Sequence, residues 1–148
     1  MKILYDHKIF YLQKYGGISN YFINLCDRLR LSHEAKIVAP VYINNYLQEF
    51  DKKSKLTFIK LTKHFKYTRK ISNGINNHFF NNYCKFKKPD IVHLTYFDKQ
   101  IFFKKKFKVI VTVYDLIHEI YEKEYNFKYP KNFKYNYLKI ADEIICIS

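Results

Sequence analysis

KVIVTVY, residues 108–114, is a nearly unbroken run of β-branched and aromatic residues. A short continuous run of this kind suits a strand covered on both faces, as the inner strands of a parallel sheet are. Similar short runs recur on either side. They are KILY at 2–5, ending at Asp6; AKIVA at 35–39, stopped by Pro40; the weakly alternating KLTFIKL at 55–61; IVHLTY at 91–96, after Pro89-Asp90; and EIICI at 143–147. Between them, apolar residues recur at spacings of three and four. Phe22, Leu25 and Leu29 do so beside Tyr21 and Cys26. Ile71, Ile75, Phe79, Tyr83 and Phe86 make a longer stripe, and Phe133, Tyr137, Ile140 and Ala141 a third. A short helix fits within 41–50. Alternation of strand and helix signals predicts an α/β fold, a Rossmann-like parallel sheet with helices on both faces. TKHFKYTRK at 62–70 and the stretch 121–132 read as loops, and there is no internal repeat or flexible linker.

The chain of 148 residues is 48% hydrophobic, which is enough for one domain with a substantial core. Its net charge of +14 raises nucleic acid, a membrane surface or an anionic substrate as partners. Nearly all the positive charge is lysine, since Arg28, Arg30 and Arg69 are the only arginines. Base-reading surfaces depend on the bidentate guanidinium, so the charge reads as a lysine-rich solvated surface and not as a nucleic-acid site. Cys26, Cys84 and Cys146 fit neither a zinc spacing nor a disulfide framework, and each reads as a small buried hydrophobe. MKILYDHKIF carries charge inside what would be a signal core, and no run approaches a membrane span, so a cytoplasmic location is expected. In FFKKKFK, 102–108, aromatic residues lie beside clustered lysines. That suits either an exposed loop or peripheral attraction to an anionic membrane.

Two of only three glycines are adjacent, in KYGGIS at 14–19. Gly16-Gly17 lies between the first strand and the first helix, where a helix N-terminus offers N–H groups and positive partial charge, and where phosphate oxygens can approach bare backbone. Ser19 is placed to cap that helix or to donate to the same anion. Neither GxGxxG nor the P-loop pattern is present, which weighs against a nicotinamide oxidoreductase. In parallel α/β sheets ligands bind beyond the carboxyl ends of the strands. Those ends carry Asp6-His7, Pro40, His93 with Tyr96, and Tyr114-Asp115 with His118 nearby.

Taken together, MKILYDHKIFYLQKYGGISNYFINL, PDIVHLTYFD, VIVTVYDLIHE and ADEIICIS resemble the N-terminal domain of a family 4 glycosyltransferase of the GT-B fold. The likeness is to mannosyltransferase-type members that build surface polysaccharide of the capsule or lipopolysaccharide kind. It covers nearly the whole chain, with 41–88 carrying little of it. The resemblance implies one half of a two-domain enzyme, a retaining transferase using a nucleoside-diphosphate sugar as donor substrate, with no other cofactor and no metal. It implies that residues 1–148 are the acceptor-side domain, with the donor-binding domain absent and its residues unmatched here. It implies that Gly16 and Gly17 face the donor diphosphate, that Asp6, His7, His93, Tyr96 and His118 line the substrate side, with Ser19 beside them by the helix-start reading above, and that Tyr114-Asp115 occupies a position where many relatives read His-Asp. Tyrosine can donate a hydrogen bond there but cannot act as a base near neutral pH. For His93 a packed strand histidine is an equal reading. The expected partners are a polypeptide carrying the donor domain and a sugar or lipid-linked acceptor. The chain alone is expected to be inactive. The alternative is a binding or interaction module, or a gene remnant, that keeps the fold without the chemistry.

Overall fold

A computed structural model describes residues 1–63, 68–97, 106–121 and 133–147. Strands β1 (Lys2–Tyr5), β2 (Glu34–Val38), β4 (Lys55–Leu56), β6 (Ile91–Leu94), β7 (Lys108–Val113) and β8 (Glu143–Cys146) form a six-stranded sheet in the order β4-β2-β1-β6-β7-β8. Every neighbouring pair is parallel. Counting only these strands, the chain winds outward one way from β1 through β2 to β4. It then returns beside β1 and winds the other way through β6, β7 and β8. This is the doubly wound order of a Rossmann-like sheet, and the reversal falls between β1 and β6.

The two faces are covered separately. Ile3 and Tyr5 point to one face, where α2 (Gly17–Leu29) lays Phe22 and Cys26 against them. Leu4, Val92, Leu94, Val109 and Val111 point to the other, under Phe80 and Cys84 of α4 (Thr68–Lys87) and Tyr137 of α6 (Phe133–Leu138). Full burial of a side chain such as Phe22 or Phe80 contributes about 2 kcal/mol, so these anchors fix the layers. Tyr5 is the polar exception. Its ring packs on Phe22 and His93, but its buried hydroxyl has no hydrogen-bond partner among the described residues. Removing an unsatisfied buried hydroxyl relieves a desolvation cost. Tyr5→Phe is therefore expected to raise stability by about 0.5–1 kcal/mol in urea denaturation; a loss of stability would show that the hydroxyl is used.

Several expectations are revised. The run 55–61 is not one strand: β4 and β5 (Ile59–Lys60) are two-residue pieces. Pro40 marks the break, because its carbonyl accepts from both Phe58 N and Ile59 N at 2.9 Å. Beyond it β3 (Val41–Tyr42) and β5 form a separate two-stranded sheet. The interval between Asp6 and Gly16 holds a helix that the sequence did not signal, α1 (Lys8–Leu12), with Ile9, Phe10 and Tyr11 buried. The short helix within 41–50 is α3 (Asn45–Glu49), capped by the Asn44 side chain accepting from Leu47 N. Cys26 and Cys84 are buried, and burial pushes both thiols up to about 12. Cys146 is exposed on edge strand β8, against expectation. Residues 122–132, most of the second anticipated loop, lie outside the described residues, as do 64–67 of the first.

Candidate functional site

The carboxyl ends of β1, β6 and β7 and the start of α2 converge where the strand order reverses. The ladder between β1 and β6 ends at the Tyr5–His93 pair. One residue further, side chains take over. Asp6 Oδ1 accepts from Thr95 N at 2.7 Å and from Thr95 Oγ1 at 2.5 Å, and the same hydroxyl oxygen accepts from Ile9 N at 3.0 Å. A single carboxylate thus joins β1, the segment after β6 and the first turn of α1; the later short helix α5 (Ile117–Ile120) follows β7. Asp6 and His7 have no exposed surface, and the His7 ring is flanked edge-on by Tyr11 and Phe80.

His93 is 3% exposed and lies on the α2 face between Tyr5 and Phe22, with Nε2 and Thr112 Oγ1 2.8 Å apart. Burial lowers its pKa to about 4, so the ring is neutral at pH 7. Of the two readings of His93, this geometry is that of a packed strand histidine. Tyr114 is half-buried against Phe22 and Tyr21, and its hydroxyl donates to the Thr95 carbonyl at 3.0 Å. Burial, helped by negative charge at Asp6, raises its pKa. The Tyr96 carbonyl accepts from Tyr137 OH at 2.5 Å. Asp115 is more open. Its Oδ1 accepts from Ile117 N at 3.2 Å, which starts α5, and Lys134 Nζ stands 3.8 Å away while donating to the Asp115 carbonyl at 3.1 Å. The backbone of His118 lies in α5, but its side chain is outside the described residues.

Gly16 is the N-cap residue of α2, with no side chain to cap it, and Asn20 N donates to its carbonyl at 3.1 Å. The Ser19 hydroxyl turns inward and donates to the same carbonyl at 2.9 Å, so it neither caps the helix nor faces outward. A Cβ on Gly16 would lie 2.1 Å from Gln13 Oε1, whereas a Cβ on Gly17 would meet nothing within 4 Å. The Gln13 amide therefore rests against Gly16, and its buried Oε1 has no hydrogen-bond partner among the described residues. The loop itself is fastened from below: Asn44 Nδ2 donates to Gln13 O at 2.9 Å, and Asn45 N donates to Lys14 O at 3.0 Å.

No family model, curated protein or solved structure matches the chain.

The structure brings Asp6, His93, Tyr114 and the first turns of α2 into one packed group through Phe22, Tyr21 and Thr95. Gly17 and Asp115 stand at its open margin. Thr95 and Gln13 were not legible as site residues. Thr95 is one polar residue in an apolar strand run, and Gln13 acquires meaning only from the approach of Gly16. Among the described residues no group of His, Cys, Asp and Glu could hold a metal ion. An open cleft of about 610 Å³, bounded by Met1, Lys2, Arg30, His33, Glu34 and Asp90, lies at the amino ends of the strands, away from this crevice. Two of its charged side chains are engaged: Asp90 Oδ2 accepts from Lys2 N at 2.7 Å, and Arg30 pairs with Asp27 and Asp51.

Proposed function

We propose that this chain is the acceptor-side, Rossmann-like half of a retaining glycosyltransferase. It would use a nucleoside-diphosphate sugar and act together with a donor-binding domain. The observation that carries the reading is the open start of α2 at Gly17, set at the reversal point of a doubly wound sheet. That is where such folds accept phosphorylated ligands, and N–H groups there can hold charge that develops on a leaving diphosphate. The sequence motifs that resemble the glycosyltransferase family meet at the same edge. Asp115, at the margin, would orient a sugar hydroxyl. The closed group beneath, built on Asp6 and Thr95, would hold the strand ends in position. With most donor contacts left to the other domain, donor binding to this chain alone should be weak and transfer undetectable. A second reading, a binding module without transfer, is favoured by Tyr114, whose hydroxyl is engaged with the Thr95 carbonyl.

Gly17→Leu separates a ligand site from a mere turn. A Cβ at this position meets no described atom within 4 Å, and leucine has the better helix propensity, so stability should rise by about 0.5 kcal/mol. The same side chain would fill the space through which a diphosphate approaches. Titrating the chain into guanosine and uridine diphosphate sugars and following ligand NMR line widths should show broadening that Gly17→Leu removes. Broadening that survives the substitution, or none with the parent chain, would refute the proposed site.

A further inference from the structure

Periodicity and packing disagree in α4. Ile71, Ile75, Phe79 and Phe86 follow one flank of the helix, yet Ile71, Ile75 and Phe86 are 66%, 51% and 78% exposed. The core instead receives Ser72, Asn76, Phe80 and Cys84, spaced four apart. Asn76 belongs inside because its amide mimics a strand neighbour: Val41 N donates to its Oδ1 and its Nδ2 donates to Val41 O, both at 2.8 Å. Among the described residues the outward stripe has no such partner. It extends onto the neighbouring small sheet, where Phe58, 61% exposed, meets Phe79 edge-on at 5.0 Å.

The segment that carries this face is one-sided in charge. From Lys52 to Pro89 the sequence has no Asp or Glu but ten lysines and one arginine, a net charge of +11 out of the chain's +14. Lys70, Lys85 and Lys87 of α4 are exposed beside the apolar flank. We propose that the outward face of α4, with Phe58, docks on an anionic lipid bilayer, its apolar side chains entering the interface while the lysines lie against the headgroups. An amphipathic helix with lysines flanking an apolar stripe has the form of an interfacial helix, and each lysine near an anionic surface strengthens binding about fivefold. A second copy of the chain is disfavoured as occupant, because the same positive face would meet itself. Nucleic acid is disfavoured because exposed isoleucines and point-charge lysines offer little to bases. The N-terminal end of α4 is tied to α1: the Tyr11 hydroxyl donates to the Arg69 carbonyl, and Lys8 Nζ donates to Asn73 Oδ1 at 2.9 Å. Docking would therefore hold the carboxyl edge of β1 close to the bilayer. The inference stands independently of the sugar-transfer reading.

The test is flotation of the purified chain with vesicles of phosphatidylglycerol mixed with phosphatidylcholine, against pure phosphatidylcholine. Binding is expected only to the anionic vesicles. Ile71→Ser with Phe86→Ser should weaken it at least about tenfold by loss of apolar insertion, and neutralising Lys70, Lys85 and Lys87 to Gln by about a hundredfold. The chain has no tryptophan. Phe86→Trp therefore supplies a single reporter whose emission should shift to the blue on anionic vesicles and not on neutral ones. Three results would overturn the proposal: vesicle binding indifferent to the serine substitutions with no emission shift, retention of a single-stranded RNA but of no vesicle, or a concentration-dependent dimer abolished by the serine substitutions in a chain that ignores lipid.

Discussion

Asp6→Ala is expected to cost about 3–5 kcal/mol, a large part of the 5–15 kcal/mol that stabilises a typical domain. The carboxylate accepts two hydrogen bonds from Thr95 where no solvent reaches. Charge-assisted bonds contribute about 1.5–3 kcal/mol each, and truncation also strands the buried Thr95 N–H. The position amplifies the effect. At the reversal between β1 and β6 the backbone ladder has ended, and the Asp6–Thr95 contact is what carries pairing one residue further. Asp6→Asn keeps an acceptor of the same shape and should lose only about 1–2 kcal/mol. Urea denaturation followed by far-UV circular dichroism gives both values. An alanine variant as stable as the parent would mean that Asp6 is not structural, and would return it to the role of a ligand contact.

The distance between the expected role of Asp6 and its observed contacts shows what a linear sequence conveys. The strands were legible because Val92, Val109 and Val111 sit in a sheet covered on both faces, and continuous apolar runs result directly from that burial. Helix α1 was not, because five residues are too few to display a period, and its burial is imposed by tertiary contact. In α4 the period was legible but its direction was not. Asn76 is drawn inward by the unpaired backbone of Val41, 35 residues earlier, and the stripe is left outside. At the site, the polar strand ends were identifiable as a set. Their roles were not, because each role depends on a distant partner: Thr95 for Asp6, Thr112 for His93, Gln13 for Gly16.

His93 gives this fold a defined acid sensitivity. An unperturbed histidine titrates near 6.5, and burial lowers the value in the folded chain to about 4. With the folded-state pKa depressed, the unfolded chain binds the proton first. Stability from this group is therefore complete above about pH 6.5 and is lost progressively as pH falls toward 4, below which both states are protonated and the loss levels off. The difference corresponds to about 3 kcal/mol, at a slope of about 1.4 kcal/mol per pH unit across the window. His93→Leu removes the titration. The variant should lose the hydrogen-bonding contact with Thr112 and be less stable at pH 7, yet its stability should fall less steeply between pH 6.5 and 4, by about one proton. Urea midpoints measured at intervals across that range would show it. Parallel curves for parent and variant would mean that His93 titrates normally in the folded chain. That result would require an open, solvated ring at the crevice and would revive the reading of His93 as a substrate contact.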